Sequence, residues 1–546
     1  MGTRDSIIKG TALLTGAGLI VKILGAAYRI PLSRLIGAEG MGLYQMAYPV
    51  YLMFLSLSTA GLPIAISKII AENFLSEDRY RIKQIFRAAS ILLFILGLTG
   101  TIGMVLAAPW LSRKIVADPR AVYAMWALAP AIFFMSMIAA FRGYFQGQQR
   151  MGPSAISQIF EQIVRVGVAL VLVVLLMKYG IEHAAAGAAF GATAGGAAGL
   201  IFLIFVYYHS RQADKITKIE VLKKEGSLKA GTGYKKIDYR IGKKRENLFL
   251  IMKRLIKFAL PISLAVILMP LLQIIDSIIV PAKLQSIGYS VKQATSLLGI
   301  LGNSWAVVYL PLIVTAAISS NMVPAIAAAK AGNYKKLAIQ KIQEGLRLSF
   351  FYLMPVAVMV FIFGKSIYRF IYGTIEVEIL SWFAPAILFL GLEQVTAGIL
   401  QGLGKPNIPL IHFTIGAIIK ITVTMISTGL PGLNLAGAAL GTVCGAGITA
   451  SLNFLYIKRL NRVKVSSLPA ACISGIILLF GGYYLVHLLK VDYFLEMFLV
   501  SLLGTIFYIG SLWLTGGITN KDIEMVKKYT RGIFVIKKIH HSSTIY

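Results

Sequence analysis

The chain is poor in acid, in cysteine and in charge of any kind. Asp and Glu number 22 among 546 residues, against 54 Lys and Arg, and charged residues make up 14% of the total. A soluble domain carries about 25% charged residues, so a soluble fold is excluded. Two cysteines do not make a disulfide scaffold. Cys444 and Cys472 both fall in apolar runs and read as small buried side chains, not as a disulfide or a metal site. The six histidines are scattered, without metal-ligand spacing. No GxxxxGK[ST] loop occurs, and no large outer loop offers paired carboxylates or a His/Glu set. The sequence therefore predicts no enzyme, no catalytic residue, no metal and no cofactor. No cleavable signal peptide is expected, because the first apolar segment is long, carries basic residues and lacks a small-x-small exit. Met1-Gly2-Thr3-Arg4-Asp5-Ser6 fits a myristoylation pattern. It is read as chance, since the chain is anchored many times over.

Apolar residues are abundant instead, at 57%, with a mean hydropathy of +0.76. Apolar segments run over about 10–36, 41–70, 84–110, 121–146, 153–178, 183–208, 250–281, 291–323, 340–363, 377–400, 407–428, 434–457, 467–489 and 494–516. Each is long enough to span a bilayer, and none alternates as a membrane strand does. The predicted fold is an all-α polytopic membrane protein of about fourteen transmembrane helices.

The formal charge of +32 would suggest nucleic acid in a soluble protein. Here the basic residues gather in alternate loops: Arg79, Arg81 and Lys83; Arg150; Lys330, Lys335 and Lys336; Lys405; Lys458, Arg459, Arg462 and Lys464. Arg4 and Lys9 at the start, and Lys521 to Lys538 in the tail, fall on the same side. By the positive-inside rule that side, with both termini, is the cytoplasm of a plasma-membrane protein. Arg113, Lys114 and Arg120 weaken the contrast. Expected partners are anionic phospholipids and an anionic substrate, not nucleic acid, for a monomeric protein.

Two six-span blocks look alike. Phe141 to Gly147 (FRGYFQG) answers Thr396 to Gly402 (TAGILQG), and at the same offset Arg165 answers Lys420. AAGAAFGATAGGA from Ala185 answers LAGAALGTVCGAG from Leu435, and Pro63 is matched to Pro324. Such parallel repeats are related by an axis along the membrane normal, with substrate between the halves. The expected organisation is an amino-terminal lobe at 1–208, a basic cytoplasmic linker at 209–249, a second lobe at 250–460, two further helices at 461–518 and a basic tail at 519–546. Gly187, Gly191 and Gly195, with Gly437, Gly441 and Gly445, read as a helix-packing seam.

Charged groups at membrane depth are the candidate site, because each is costly there. Gly18, Lys22, Gly25 and Arg29 share one face of the first span. Asp276, with Gln273 on the same face, is a candidate partner for Arg29. Glu161 and Arg165 are spaced i, i+4, either a local ion pair or ion-coupling groups. Lys420 has only Gly416 at the equivalent place, which leaves it a cavity cation. Glu393 is set to pair with it or to carry a coupling ion. Asn303, Ser304 and Trp305 line the eighth span, and Tyr44, Gln45, Tyr48 and Tyr51 the second, as cavity lining or as interhelical hydrogen bonds. Arg142, near the cytoplasmic end of the fourth span, is expected to snorkel.

The run from Lys9 to Glu72, the run from Phe141 to Val166 and Leu400 to Pro409 (LQGLGKPNIP) resemble the stage V sporulation protein B and polysaccharide-export branch of the multidrug/oligosaccharidyl-lipid/polysaccharide (MOP) exporter superfamily. The resemblance covers essentially the whole chain. It implies two pseudo-symmetric six-helix lobes plus two carboxy-terminal helices, and alternating access. The implied activity is a flippase carrying undecaprenyl-diphosphate-linked sugar, peptidoglycan lipid II foremost, from the inner to the outer leaflet. Another polysaccharide repeat unit, or a cation-coupled multidrug exporter of the same fold, is the alternative. Membrane potential, Na+ or H+ would drive it. Lys22 falls where a first-helix motif of the Gram-negative lipid II flippases has its leading arginine. The second arginine of that motif falls on Tyr28, one place before Arg29, and an eighth-helix arginine falls on Trp305.

Overall fold

The structure, a computed structural model, describes residues 3–59, 61–74, 79–228, 247–373, 378–461, 468–489 and 493–514. In the first half lie α1 (Thr3–Ala27), α2 (Arg29–Thr59), α3 (Leu62–Phe74), α4 (Arg79–Trp110), α5 (Ala121–Gly147), α6 (Met151–Leu176), α7 (Ile181–Leu228) and α8 (Leu248–Ser286). Then come α9 (Val291–Ala331), α10 (Lys335–Tyr372), α11 (Ile379–Gly402), α12 (Asn407–Ser427), α13 (Leu435–Asn461), α14 (Leu468–Leu489) and α15 (Tyr493–Leu514). Ten helical stretches among the described residues are long and apolar enough to cross a membrane. The fold is all-α and polytopic. The basic tail 519–546 and the lysine-rich part of the linker, 229–246, lie outside the described residues.

Local chemistry sets the breaks. Pro31 has no N–H to give to the carbonyl of Ala27, and the ladder loosens at Tyr28. The bonds Tyr28 N–H to Leu24 O and Leu32 N–H to Tyr28 O still carry the helix through, at 3.0 and 3.1 Å. Gly37, at φ 65°, turns the chain where the first two spans were expected to part. The second expected span, 41–70, is not one helix. It stops at Thr59 and restarts at Leu62. Gly61 between them has φ +76°, and a Cβ there would lie 2.5 Å from the Ala259 carbonyl oxygen. Both the positive φ and the close approach of α8 require glycine. Hydropathy does not register such a break, because the flanking residues stay apolar.

The chain divides into two compact units, Met1–Asn303 and Ser304–Tyr546. In the first, α7 packs on α5 and α6, α4 and α2 pack on α5, and α1 packs on α6. An aromatic cluster fills one end of its core: Phe86 lies 5.2 Å from Phe141, 4.7 Å from Tyr144 and 5.1 Å from Tyr207. In the second, α11 packs on α10 and α13, α12 on α13, and α14 and α15 on each other and on α10. Cys444 and Cys472 are free thiols, each half-buried.

The glycine seams repeat residue for residue. A Cβ on Gly195 would lie 2.6 Å from Glu161 O and 2.9 Å from Arg165 Cβ; on Gly445 it would lie 2.7 Å from Gly416 O and 2.7 Å from Lys420 Cβ. Gly191 meets Arg165 and Ala169 as Gly441 meets Lys420 and Thr424. The internal repeat is therefore visible in the packing of each unit, with Arg165 and Lys420 as true counterparts. One sequence match is overturned. Gly143 abuts Pro63 O and Gly147 abuts Ser67 O, while Gly398 abuts Ser319 O and Gly402 abuts Val323 O. Pro63 thus answers Ser319, and Pro324 answers Lys68. A proline marks where one helix bends, whereas backbone-to-backbone contacts at glycine fix the register.

Gly195→Ala tests the seam. Alanine gains about 1 kcal/mol of helix propensity, but overpacking against backbone costs about 1–3 kcal/mol. The expected result is a lower thermal midpoint for the detergent-solubilised protein. Gly167→Ala on α6, with nothing within 4 Å of the added carbon, should hold or raise it. Equal midpoints for the two variants would show that no close seam exists there.

Candidate functional site

The stripe on the first span divides. Lys22 is exposed on α1, while Arg29 is half-buried and donates weakly from Nη1 to the Gly302 carbonyl at 3.5 Å. Gly25, on the same stripe, faces Gln162 of α6. Around Arg29 polar side chains pair with one another. Tyr28 and Tyr44 share a hydroxyl hydrogen bond of 3.0 Å, and Asn303 Nδ2 donates to Ser33 Oγ at 2.7 Å with Asn303 only 1% exposed. Gln273 and Asp276 are half-buried on α8. One turn on from Gln273, Ser277 Oγ donates to its carbonyl at 2.9 Å.

Arg142, Glu161 and Arg165 come together as a triad. Arg165 Nη2 donates to Glu161 Oε1 at 2.6 Å, and Arg142 Nη2 donates to Glu161 Oε2 at 3.0 Å. Arg142 Nε also donates to Ser157 Oγ at 3.1 Å. The local Glu161–Arg165 pair is present, but Arg142 does not snorkel. It turns inward because an acid within reach is a better partner than the more distant headgroup region. The signal was readable: Ser157, Glu161 and Arg165 follow at i, i+4, i+8 on one face of α6. Beside them on α2, Tyr44 stacks on Tyr48 at 5.4 Å and Tyr48 leans on Tyr51 at 5.7 Å.

In the second unit Lys420 projects its ammonium over the Trp305 ring, 5.5 Å from the centroid. Trp305 in turn stacks on Tyr309 at 5.1 Å and meets Phe383 edge-on at 5.0 Å. Lys420 is the cation whose field reaches Glu393, half-buried on α11. The next residue, Gln394, accepts from Thr315 Oγ1 at 2.8 Å and, at its carbonyl, from Ser319 Oγ at 2.7 Å. The sequence reading missed Asn453. It is fully buried, pairs with His412 Nδ1 at 2.8 Å and donates to Thr396 Oγ1 at 3.2 Å.

A second charged network was also missed. Arg120 donates from Nε and Nη2 to Asp118 at 3.0 and 2.8 Å and from Nη1 to Glu39. Asp118, 1% exposed, also accepts from Thr295 Oγ1 at 2.8 Å. The Asp118 hydrogen bonds, more than Glu39, hold the guanidinium pKa above its ordinary value despite partial burial. Arg120 read as an outer-loop charge that blurred the orientation, but it joins the start of α5 to α2 and α9. Close by, a Cβ on Gly42 would overlap Thr295 O and one on Gly299 would overlap Ala38 O, each at 1.9 Å. The two helices cross backbone to backbone there.

Comparison with known proteins adds the relations. The family model described as polysaccharide biosynthesis protein matches residues 7–330. Stage V sporulation protein B of Bacillus subtilis (strain 168) is 28% identical over 480 residues, covering 88% of both chains. The lipid II flippase MurJ of the same organism is 27% identical over 473 residues, covering 83% of both. Among solved structures, the lipid II flippase MurJ in an inward closed conformation superposes with a TM-score of 0.66 at 14% identity, covering 92% of this chain and 98% of that one. An inward-facing MATE transporter of the MOP superfamily gives 0.61 at 17% identity, covering 82% and 95%. These two show the fold.

Arg120→Ala leaves Asp118 buried with the Thr295 hydroxyl but without its cation, at a cost of about 3–5 kcal/mol. The expected readout is a marked fall in the thermal midpoint. Asp118→Asn, which removes the charge along with the need for a partner, should cost less. Equal, small effects from both would show that the network contributes little.

Proposed function

Since the chain belongs to the polysaccharide biosynthesis family of membrane proteins, in the branch of the MOP superfamily that holds stage V sporulation protein B and MurJ, we propose that it is a flippase for sugars linked to a polyprenyl diphosphate. Peptidoglycan lipid II is the leading substrate and the plasma membrane its location, with both termini in the cytoplasm. Relatives whose names state an activity are a lipid II flippase and a MATE transporter, not enzymes.

The observation that carries this reading is the sign of charge at membrane depth in the first unit. Arg29, Arg142 and Arg165, each half-buried, outnumber Glu161 and Asp276, while Lys22 is exposed. A surplus of partly buried cations is costly alone and useful to an anion. Guanidinium forks suit diphosphate oxygens, and tyrosine hydroxyls beside them suit a sugar. The lipid tail stays in the bilayer while the headgroup crosses by alternating access. A positive site also couples to the membrane potential, at about 2.3 kcal/mol per charge per 100 mV.

A multidrug exporter of the same fold is the second reading. It draws on the second unit, where Glu393 and the Trp305, Tyr309 and Phe383 rings would suit a lipophilic cation.

The test replaces Lys22 and Arg29 with alanine in cells lacking other flippases and follows headgroup translocation. Arg29→Ala should reduce transport at least tenfold, and Lys22→Ala less, since Lys22 is exposed. Mass spectrometry of the lipid that accumulates on depletion identifies the cargo. Full transport by the well-expressed double variant would remove this anion site. Accumulation of no lipid-linked sugar would favour the exporter.

A further inference from the structure

The triad on α5 and α6 has one acid and two guanidiniums, and both oxygens of Glu161 are taken. One positive charge is left over. Arg165 Nε is buried and has no hydrogen-bond acceptor among the described residues. A buried donor left open is costly and signals a missing partner. Packing does not require the acid. The counterpart seam of the second unit closes just as tightly with Gly416 in place of Glu161 and Lys420 in place of Arg165. Nor is the triad sealed: the side chains of Arg142 and Arg165 keep 14% and 17% of their exposure, and Tyr48 is half-buried. The ionisable neighbours of Arg165 include Glu161, Arg142, Tyr48, Tyr51 and Tyr44. Those tyrosines supply hydroxyls to a guest and, as neutral groups, no opposing charge.

We propose that Arg142 and Arg165 form a phosphate-binding site for a diphosphate group, and that Glu161 is its built-in placeholder, displaced when the anion arrives. A carboxylate offers two acceptor oxygens, and a diphosphate offers more charge and more acceptors over a longer span. The diphosphate reaches Arg165 Nε as well as the two Nη atoms that Glu161 now holds. The exchange keeps the arginines paired throughout, so neither is exposed alone to low dielectric. The lipid-linked source of the anion rests on the flippase reading; the phosphate site itself does not.

The test uses the full chain in nanodiscs of neutral phosphatidylcholine. The probes are a short-chain prenyl diphosphate, the matching prenyl monophosphate and inorganic pyrophosphate. Wild type should bind a diphosphate. Arg165→Gln should weaken it roughly tenfold or more, and Arg165→Lys, which keeps the charge but loses Nε and the fork, should also weaken it. Glu161→Gln should tighten it, because the internal competitor loses its charge. A triad that is only structural predicts weaker or unchanged binding in Glu161→Gln. Should that variant not fold, Arg165→Lys against wild type decides. No diphosphate binding by wild type, or wild-type affinity in both Arg165 variants, overturns the site. Binding of the prenyl diphosphate but not of pyrophosphate assigns the source to lipid; equal binding of both assigns it to the phosphate group itself. Sugar-lipid translocation that survives with unaltered diphosphate affinity in Arg165→Gln overturns the site and leaves the flippase reading intact. Arg165-dependent pyrophosphate binding in a protein that translocates no lipid-linked sugar does the reverse.

Discussion

A charge at membrane depth must be paired, and in this chain acids are too few to pair every cation. That constraint organises the first unit. Glu161 serves two arginines at once, drawing Arg142 inward across α5 when a lone arginine so near the helix end would reach for the headgroups. At the equivalent place in the second unit the cation Lys420 lies over the face of Trp305, with its field reaching Glu393. Both arrangements answer one problem, which is keeping a cation in a low-dielectric interior without leaving it bare.

The glycine seams are what allow such different side chains to occupy equivalent places. At Gly195 and Gly445 the backbones approach so closely that the position of the neighbouring helix is set by main-chain atoms. The side chains that α6 and α12 carry along the seam are then free to diverge. The first unit carries Ser157, Glu161 and Arg165 there; the second carries His412, Gly416 and Lys420, with Asn453 and Thr396 closing a neutral network. The repeated scaffold holds a carboxylate between two guanidiniums in one copy, and a cation over an aromatic ring beside a neutral hydrogen-bond network in the other.

Much of the fold was legible because it follows from short-range rules. Hydropathy gave the helical segments to within a few residues at most ends, as at α5, expected over 121–146 and found over Ala121–Gly147. It missed the break at Gly61, since a positive φ leaves no trace in apolarity. It also matched Pro63 to Pro324, a residue likeness with no packing behind it. In the site, the Ser157, Glu161 and Arg165 stripe was readable from helical spacing, while the approach of Arg142 to it depends on how α5 lies against α6. The Glu39–Arg120–Asp118–Thr295 network joins residues far apart in the chain, and no local pattern foretells it.

The amino-acid sequence alone determined that this is an all-α membrane protein, where its breaks of charge fall and which two stretches repeat, because apolar length and residue periodicity act locally along the chain. Which cation meets which acid, and which is left to meet something else, was decided only by the tertiary structure. Electrostatic pairing in a dry interior depends on distances of a few ångströms between helices, and those distances are set by how closely glycine lets the backbones approach.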